Sequence, residues 1–407
     1  MLNPALDALP DSPFTRMNAL IADVTPPADP PPLLMSVGEP QNAYPAWVAE
    51  TLAENAHLWG KYVNPRGTDA LNAAMIGWLE RRFGLPAGVI RPGESIAPLA
   101  GTREGLYLLP EVVTPRRAEG TNRPPAVLIP NPFYHTYAGA ALTAGAEPVF
   151  LPTTRETGYL PDLDAVDPEL WARTSLFYLC SPSNPAGSVA DVDYLKRAVT
   201  LARTHDFCLV VDECYAELYY GAPPPTALQA ALALDGTLDN VVVFHSLSKR
   251  SSLAGLRAGF CAGDPRILKP FLKLRDYGAV FIPLPSQAAA ARLWADDDHV
   301  AANRAYYRRN FAIAEQYLGD HPGFAWPEAG FFLWLEVGTE AAEPLAKRLW
   351  AEAGVKVVPG AYFGRADAHG VNPGAPYLRL AMVHDAATTE AAMRRIRPLL
   401  CGGGDAR

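Results

Sequence analysis

The sequence predicts an α/β protein: a mostly parallel sheet between layers of helices, followed by a smaller α+β part. Three observations predict it. Short apolar runs bounded by Gly, Pro or Asn recur between about residues 55 and 264, at 126–130, 148–151, 175–180, 208–212, 241–244 and 258–262. Nearly unbroken apolar character suits a strand covered on both faces, whereas a half-solvated strand alternates. Helical patterns separate these runs, most clearly at 189–205, where Val192, Leu195, Val199 and Leu201/Ala202 fall on one face. Strand, helix and strand repeated in this way imply right-handed crossovers. Beyond these runs the pattern changes. A helical stretch at about 286–317 precedes an apolar run at 331–337, a helix at 341–353, short runs at 356–358 and 377–382, and a last helix at about 388–400. The first 35 residues, which include the Pro-rich stretch 25–32, are expected to be an extended arm.

Composition excludes several function classes. The 407 residues carry 35 Lys and Arg against 43 Asp and Glu, a net charge of −8. That balance opposes a mainly nucleic-acid-binding role, which needs clustered cations for phosphate. The apolar runs fall far short of a bilayer span, and the N-terminus, with Asp7 and Asp11, lacks the basic and apolar regions of a secretory leader. The cysteines Cys180, Cys208, Cys214, Cys261 and Cys401 form no C-x-x-C pair, and no H-E-x-x-H or Cys/His cluster is present. The expectation is a cytoplasmic protein with reduced thiols, no metal, no nucleic acid and no membrane contact.

In open α/β sheets, ligands bind beyond the carboxyl ends of the strands. Three polar clusters occur there: Ser181-Pro-Ser-Asn184-Pro-Ala-Gly187, Asp212-Glu-Cys-Tyr215 and His245-Ser246-Leu-Ser248-Lys249-Arg250. Each alone has a plainer reading, as a turn, a backbone acceptor or a solvated loop lysine. Together they suit imine chemistry on a phosphorylated cofactor: a lysine for the Schiff base, a carboxylate for a pyridinium nitrogen, and hydroxyls for a phosphate. Ala100-Gly101-Thr102-Arg103-Glu-Gly105 precedes a helical stretch, so the N–H groups of Thr102 and Arg103 can face an anion.

Asn184, Asp212, Tyr215, Lys249 and Arg257, with S-L-S-K-R-S-S-L-A-G-L-R, N-P-x-G and D-E-x-Y in order, resemble the class I/II aminotransferases of fold type I over about residues 36–383. The resemblance implies a large domain at 45–290 with a mostly parallel seven-stranded sheet, and a small domain made of 1–44 and 291–407. It implies pyridoxal 5′-phosphate as cofactor, joined to Lys249, with Asp212 on the ring nitrogen and Asn184 and Tyr215 on the phenolic oxygen. Tyr134, in N-P-F-Y-H-T-Y, takes the place of the aromatic that stacks on the ring, and Gly101, Thr102, Arg103, Ser246, Ser248 and Arg257 surround the phosphate. Tyr62 matches the tyrosine sent to the neighbouring subunit of a homodimer with shared sites. Arg379 matches the clamp on the substrate α-carboxylate, and Gly38 the loop that closes over the substrate.

Longer strings, among them S-V-G-E-P and F-H-S-L-S-K-R-S-S-L-A-G-L-R-A-G-F-C-A-G-D, are similar to bacterial succinyldiaminopimelate transaminases, which use glutamate as donor. Ser252-Leu253-Ala254 and Tyr277-Gly-Ala-Val-Phe281 depart from that group's usual segments. A long dicarboxylic substrate would need a second anion site, with Arg16, Arg103 and Arg250 as candidates. Rival readings are an aminotransferase for aspartate, alanine or aromatic amino acids, a carbon–sulfur β-lyase, and a regulator on the same scaffold. The last would need an added DNA-binding domain, which the acidic, Pro-rich N-terminus does not supply.

Overall fold

A computed structural model describes residues 7, 9, 11–115, 123–339 and 341–401. Its strands in chain order are β1 (Leu33–Leu34), β2 (Ile96–Leu99), β3 (Ala126–Asn131), β4 (Glu147–Pro152), β5 (Thr174–Cys180), β6 (Cys208–Asp212), β7 (Val241–Ser246), β8 (Gly259–Gly263), β9 (Phe332–Glu336), β10 (Val355–Lys356), β11 (Val358–Pro359) and β12 (Tyr377–Ala381). Seven of them form one sheet in the order β2-β8-β7-β6-β5-β3-β4. The five from β7 to β4 run parallel, as right-handed crossovers require.

Side chains of β5 and β6 alternate between two buried faces. Phe177, Leu179, Leu209 and Val211 pack with Trp78 and Trp294 on one side. Leu176, Tyr178 and Val210 pack with Tyr137 and Phe271 on the other. Cover on both faces is why these strands read as continuous apolar runs. A separate three-stranded antiparallel sheet, β11-β12-β9, shares a further core with Met35, Phe311 and Met393.

Four expectations are corrected. The run at 258–262 is β8, which is antiparallel to β7, because the chain turns back through 247–258 at the same end of the sheet. Its outer neighbour β2 was not anticipated: it has only four residues and contains Pro98, which a sheet tolerates at an edge. The arm is not simply extended. Ser12 accepts a hydrogen bond from the Thr15 N–H and Pro13 opens the helix Pro13–Leu20, which buries Met17. The stretch at 286–317 is two helices, Leu284–Ala295 and Asp298–Leu318, separated at Asp296 and Asp297. The run at 356–358 is also shared between two strands. β10 pairs with β1 of the arm, and β11 pairs with β12. Among the described residues, no helix is long and apolar enough to cross a membrane.

Candidate active site

The carboxyl ends of β5, β6 and β7 lie side by side, with Cys180 opposite Asp212 and Asp212 opposite Phe244. Beyond them opens a cavity of about 490 Å³. Of the predicted site residues, Gly38, Thr102, Arg103, Tyr134, Asn184, Asp212, Tyr215, Ser246, Ser248, Lys249, Arg257 and Arg379 line it. The three polar clusters after β5, β6 and β7 thus converge, as the sheet-end rule anticipates, and four further segments join them.

Lys249 sits in a one-turn helix, Leu247–Arg250, where the Ser246 hydroxyl accepts the Ser248 N–H. Its Nζ donates to the Gly38 carbonyl at 2.6 Å and lies 5.0 Å from the centre of the Phe331 ring. Burial, with a smaller push from Arg379, draws its pKa down to about 8, against a pull upward from Cys214. Gly38 is needed for close approach: a Cβ there would stand 2.4 Å from the Phe332 ring.

Asp212 is held at both oxygens. Oδ1 accepts the Cys214 N–H at 3.2 Å, and Oδ2 accepts the Tyr137 hydroxyl at 2.7 Å. Tyr137 is fully buried and stacked on Tyr178, so its hydroxyl is fixed. Sequence reasoning missed Tyr137. Its signal was the spacing of three from Tyr134 at the start of the helix His135–Thr143, which turns both rings to one side.

A phosphate-sized corner is preformed. Gly101 has φ +86°, and a Cβ on it would stand 2.0 Å from Nη2 of Arg257. No side chain caps the helix Thr102–Leu108 that follows, so its leading N–H groups are available. Among the described residues, Arg257 donates to the carbonyls of Ala254 and Ala100, at 2.8 and 3.5 Å. Ser246 and Ser248 line the same cavity. Gly101 itself stands behind Arg257 and does not line it. Arg103 turns its Nε to the Tyr134 hydroxyl.

Arg379, in β12, is 3% exposed. It donates to the Asn184 side-chain oxygen at 3.2 Å and to the Ser36 carbonyl at 3.0 Å, and its Nε is buried without a partner. The rings of Phe332 and Phe363 flank its guanidinium at 4.1 and 3.9 Å. A buried cation with an unused donor and no carboxylate is prepared for an incoming anion.

Like Gly101, the expected residues Tyr62, Arg16 and Arg250 do not line the cavity. Tyr62 is fully exposed within a single chain and is not brought into the site. Arg250 is corrected: it points away from the cavity, is 2% exposed, and donates to Leu293 O, Asp296 O and Asp297 Oδ1. Its flat guanidinium lies 5.6 and 5.1 Å from the Trp78 and Trp294 rings, so its role is to pack the sheet's helix layer.

Comparison with known proteins agrees with this geometry. The family model "Aminotransferase class I and II" matches residues 30–396. The 4-dedimethylamino-4-oxo-anhydrotetracycline transaminase OxyQ of Streptomyces rimosus is 33% identical, over 89% of this chain and 92% of its own. An LL-diaminopimelate aminotransferase of Syntrophobacter fumaroxidans is 30% identical, over 90% of each. The crystal structure of an aminotransferase from Neisseria meningitidis superposes with a TM-score of 0.91 at 34% identity, covering 98% of this chain and all of the other. A structure from Thermus thermophilus, described as a "probable N-succinyldiaminopimelate aminotransferase", reaches 0.81 at 25% identity, covering 96% and 100%. Members of this family use pyridoxal phosphate, and the anion corner, the fixed carboxylate and the buried lysine suit it. The chain is an aminotransferase of class I and II with the type I fold.

Proposed function

We propose that this aminotransferase moves an amino group between L-glutamate/2-oxoglutarate and N-succinyl-L-2-amino-6-oxopimelate, in lysine and diaminopimelate biosynthesis. It would act as a cytoplasmic homodimer with shared sites, residues 45–290 forming the large domain and 1–44 with 291–407 the small one. One observation carries the reading: the cavity whose lining suits pyridoxal phosphate also holds the buried Arg379, whose unpartnered Nε awaits a carboxylate. The shared strings, and relatives named for diaminopimelate and its succinyl derivative, favour a long acid of this class.

When bound, pyridoxal phosphate supplies the carbonyl that accepts the amino group and a ring that withdraws electrons from the substrate Cα. Ser246, Ser248, Arg257 and the N–H groups after Gly101 would hold its phosphate, with Tyr62 reaching across a two-fold axis to the other copy. Asp212, fixed by Tyr137 and the Cys214 N–H, would hold the ring nitrogen. Asn184 and Tyr215 would hold the phenolic oxygen, and Tyr134 would cover the ring. Arg379 grips the α-carboxylate while Phe332 and Phe363 keep water from that contact. Lys249 takes the proton from the substrate Cα with its neutral amine, which a pKa of about 8 makes available near physiological pH. The two half-reactions share one site, so kinetics are ping-pong.

The test is direct. With glutamate, the cofactor-loaded protein should aminate N-succinyl-2-amino-6-oxopimelate and release 2-oxoglutarate. Faster turnover of LL-diaminopimelate, oxaloacetate, pyruvate or an aromatic oxo acid would replace the substrate. Release of pyruvate and ammonia from cystathionine would instead make it a carbon–sulfur β-lyase.

A further inference from the structure

Of the three arginines considered for a second anion, Arg250 is engaged behind the sheet and Arg103 donates to Tyr134. Arg16 remains, and the structure gives it a companion that the sequence did not indicate. Arg16, on the helix Pro13–Leu20, lies 4.0 Å from the centre of the Tyr362 ring. Arg365 lies 5.2 Å from the centre of the Phe133 ring. Phe133 and Phe363, together with Phe14 from the helix of Arg16, line the active-site cavity. Phe363 is the ring that covers Arg379 at 3.9 Å, and its carbonyl accepts the Phe133 N–H at 2.9 Å. Arg16 and Arg365 thus stand next in the chain, or next in contact, to the rings of Phe14, Phe133 and Phe363 that line the cavity beside the α-carboxylate clamp.

We propose that Arg16 and Arg365 form a second anion subsite at the rim of this cavity, which takes the distal carboxylate of a dicarboxylic amino or oxo acid held at its α-carboxylate by Arg379. The proposal rests on the aminotransferase reading of the site and names its substrate class. Among the described residues, neither guanidinium has a carboxylate within ion-pair distance, whereas the similarly half-buried Arg82, Arg173 and Arg304 each have a glutamate. Among the described residues, the Arg365 guanidinium donates to the carbonyl of its neighbour Gly364. The carboxylates nearby are committed elsewhere: Glu343 faces the Tyr362 hydroxyl, and Asp367 accepts the N–H groups of His369 and Val371 in its own turn. The two arginines also repel. Burial and then the Arg16 charge both disfavour the charged form of Arg365. Two unpaired like charges held together cost free energy that a bridging carboxylate removes.

The placement is not a loose surface accident. Asn131, the last residue of β3, fixes the Arg365 backbone from both sides, accepting its N–H at 2.9 Å and donating to its carbonyl at 2.8 Å. Arg16 is set by a capped helix whose Met17 is fully buried. Rigid support of this kind fixes the direction of a cation and so favours recognition of one carboxylate geometry.

The experiment compares cofactor-loaded wild type, Arg365→Gln, Arg16→Gln and Arg365→Lys. It measures kcat and KM for glutamate and for alanine, which lacks a distal carboxylate, and calorimetric binding of glutarate and butyrate as unreactive acids. The expected result is a fall of tenfold or more in the glutamate-to-alanine ratio of kcat/KM in each Gln variant, carried by KM, with partial recovery in Arg365→Lys. Glutarate binding should weaken by a similar factor relative to butyrate. Equal loss for both donors, or a wild type that binds glutarate no better than butyrate, overturns the subsite. Because these ratios need no succinylated substrate, a protein that fails on N-succinyl-2-amino-6-oxopimelate but passes here loses only the assignment of its long acceptor.

Discussion

Replacing Lys249 with Met should abolish transamination and yet stabilise the cofactor-free protein near neutral pH. Both effects come from one burial. The Lys249 amine has its pKa lowered from the ordinary 10.5 to about 8, chiefly because it is out of water. Holding it there corresponds to roughly 3 kcal/mol against the charged form. The sign follows from proton counts. Between pH 8 and 10.5 the unfolded chain keeps the proton that the native state has released, so wild-type stability rises with pH across that window and lies on its lower plateau below it. Met carries no such cost, but it forfeits the bond from Nζ to Gly38 O, about 1.5–3 kcal/mol for a charged donor. Relief of the buried charge narrowly outweighs the lost bond, leaving the variant roughly 1 kcal/mol more stable at pH 7. Above pH 10.5 that gain should vanish or reverse. The assay is the denaturant midpoint of the two cofactor-free proteins at several pH values. A variant less stable than wild type at pH 7, by an amount that does not change up to pH 10.5, would refute the reasoning.

Three further outcomes follow from the same geometry. Tyr137→Phe removes the 2.7 Å hydrogen bond to Asp212 Oδ2, and at about 1.5–3 kcal/mol it should lower kcat roughly 10- to 100-fold; unchanged kcat with glutamate as donor would show that Asp212 needs no orienting partner. Gly101→Ala must adopt φ +86° and push aside the Arg257 guanidinium, so equilibrium dialysis should find pyridoxal phosphate retained at least tenfold more weakly; retention equal to wild type would remove Gly101 from the phosphate corner. Tyr62→Phe should weaken cofactor retention in a species that light scattering measures as a dimer, and full activity in a monomer would rule out a shared site.

The parts of the fold legible in the sequence were those whose physics is local. A strand buried on both faces, such as Thr174–Cys180, announces itself by an apolar run, and an amphipathic helix such as Val192–His205 by its stripe. What stayed hidden depended on partners distant in the chain. Ile96–Leu99 is a strand only because Gly259–Gly263 turns back to pair with it, and no periodicity in four residues containing Pro98 records that. Asp296 and Asp297 broke a helical pattern that apolar spacing alone continued.

The site divides in the same way, with a consequence for reading such enzymes. Lys249, Asp212, Asn184 and Arg379 carry chemistry in their own side chains, so residue type and order exposed them. Tyr137, Phe363 and Arg365 act through placement. Tyr137 matters because Asp212 lies under its hydroxyl, and Phe363 because it covers Arg379. Arg365 and Arg250 show the contrast most sharply, for the sequence offered the wrong one of the two as an anion ligand. Arg250 adjoins the reactive lysine in sequence, yet Asp297 and two tryptophans hold it behind the sheet. Arg365 stands over a hundred positions later, and Asn131 and Phe133 bring it to the rim without a carboxylate partner. Proximity in sequence to a catalytic group therefore says little about charge at the cavity. What decides it is whether the fold has already neutralised the cation, and among these arginines only the structure shows which ones it has left open.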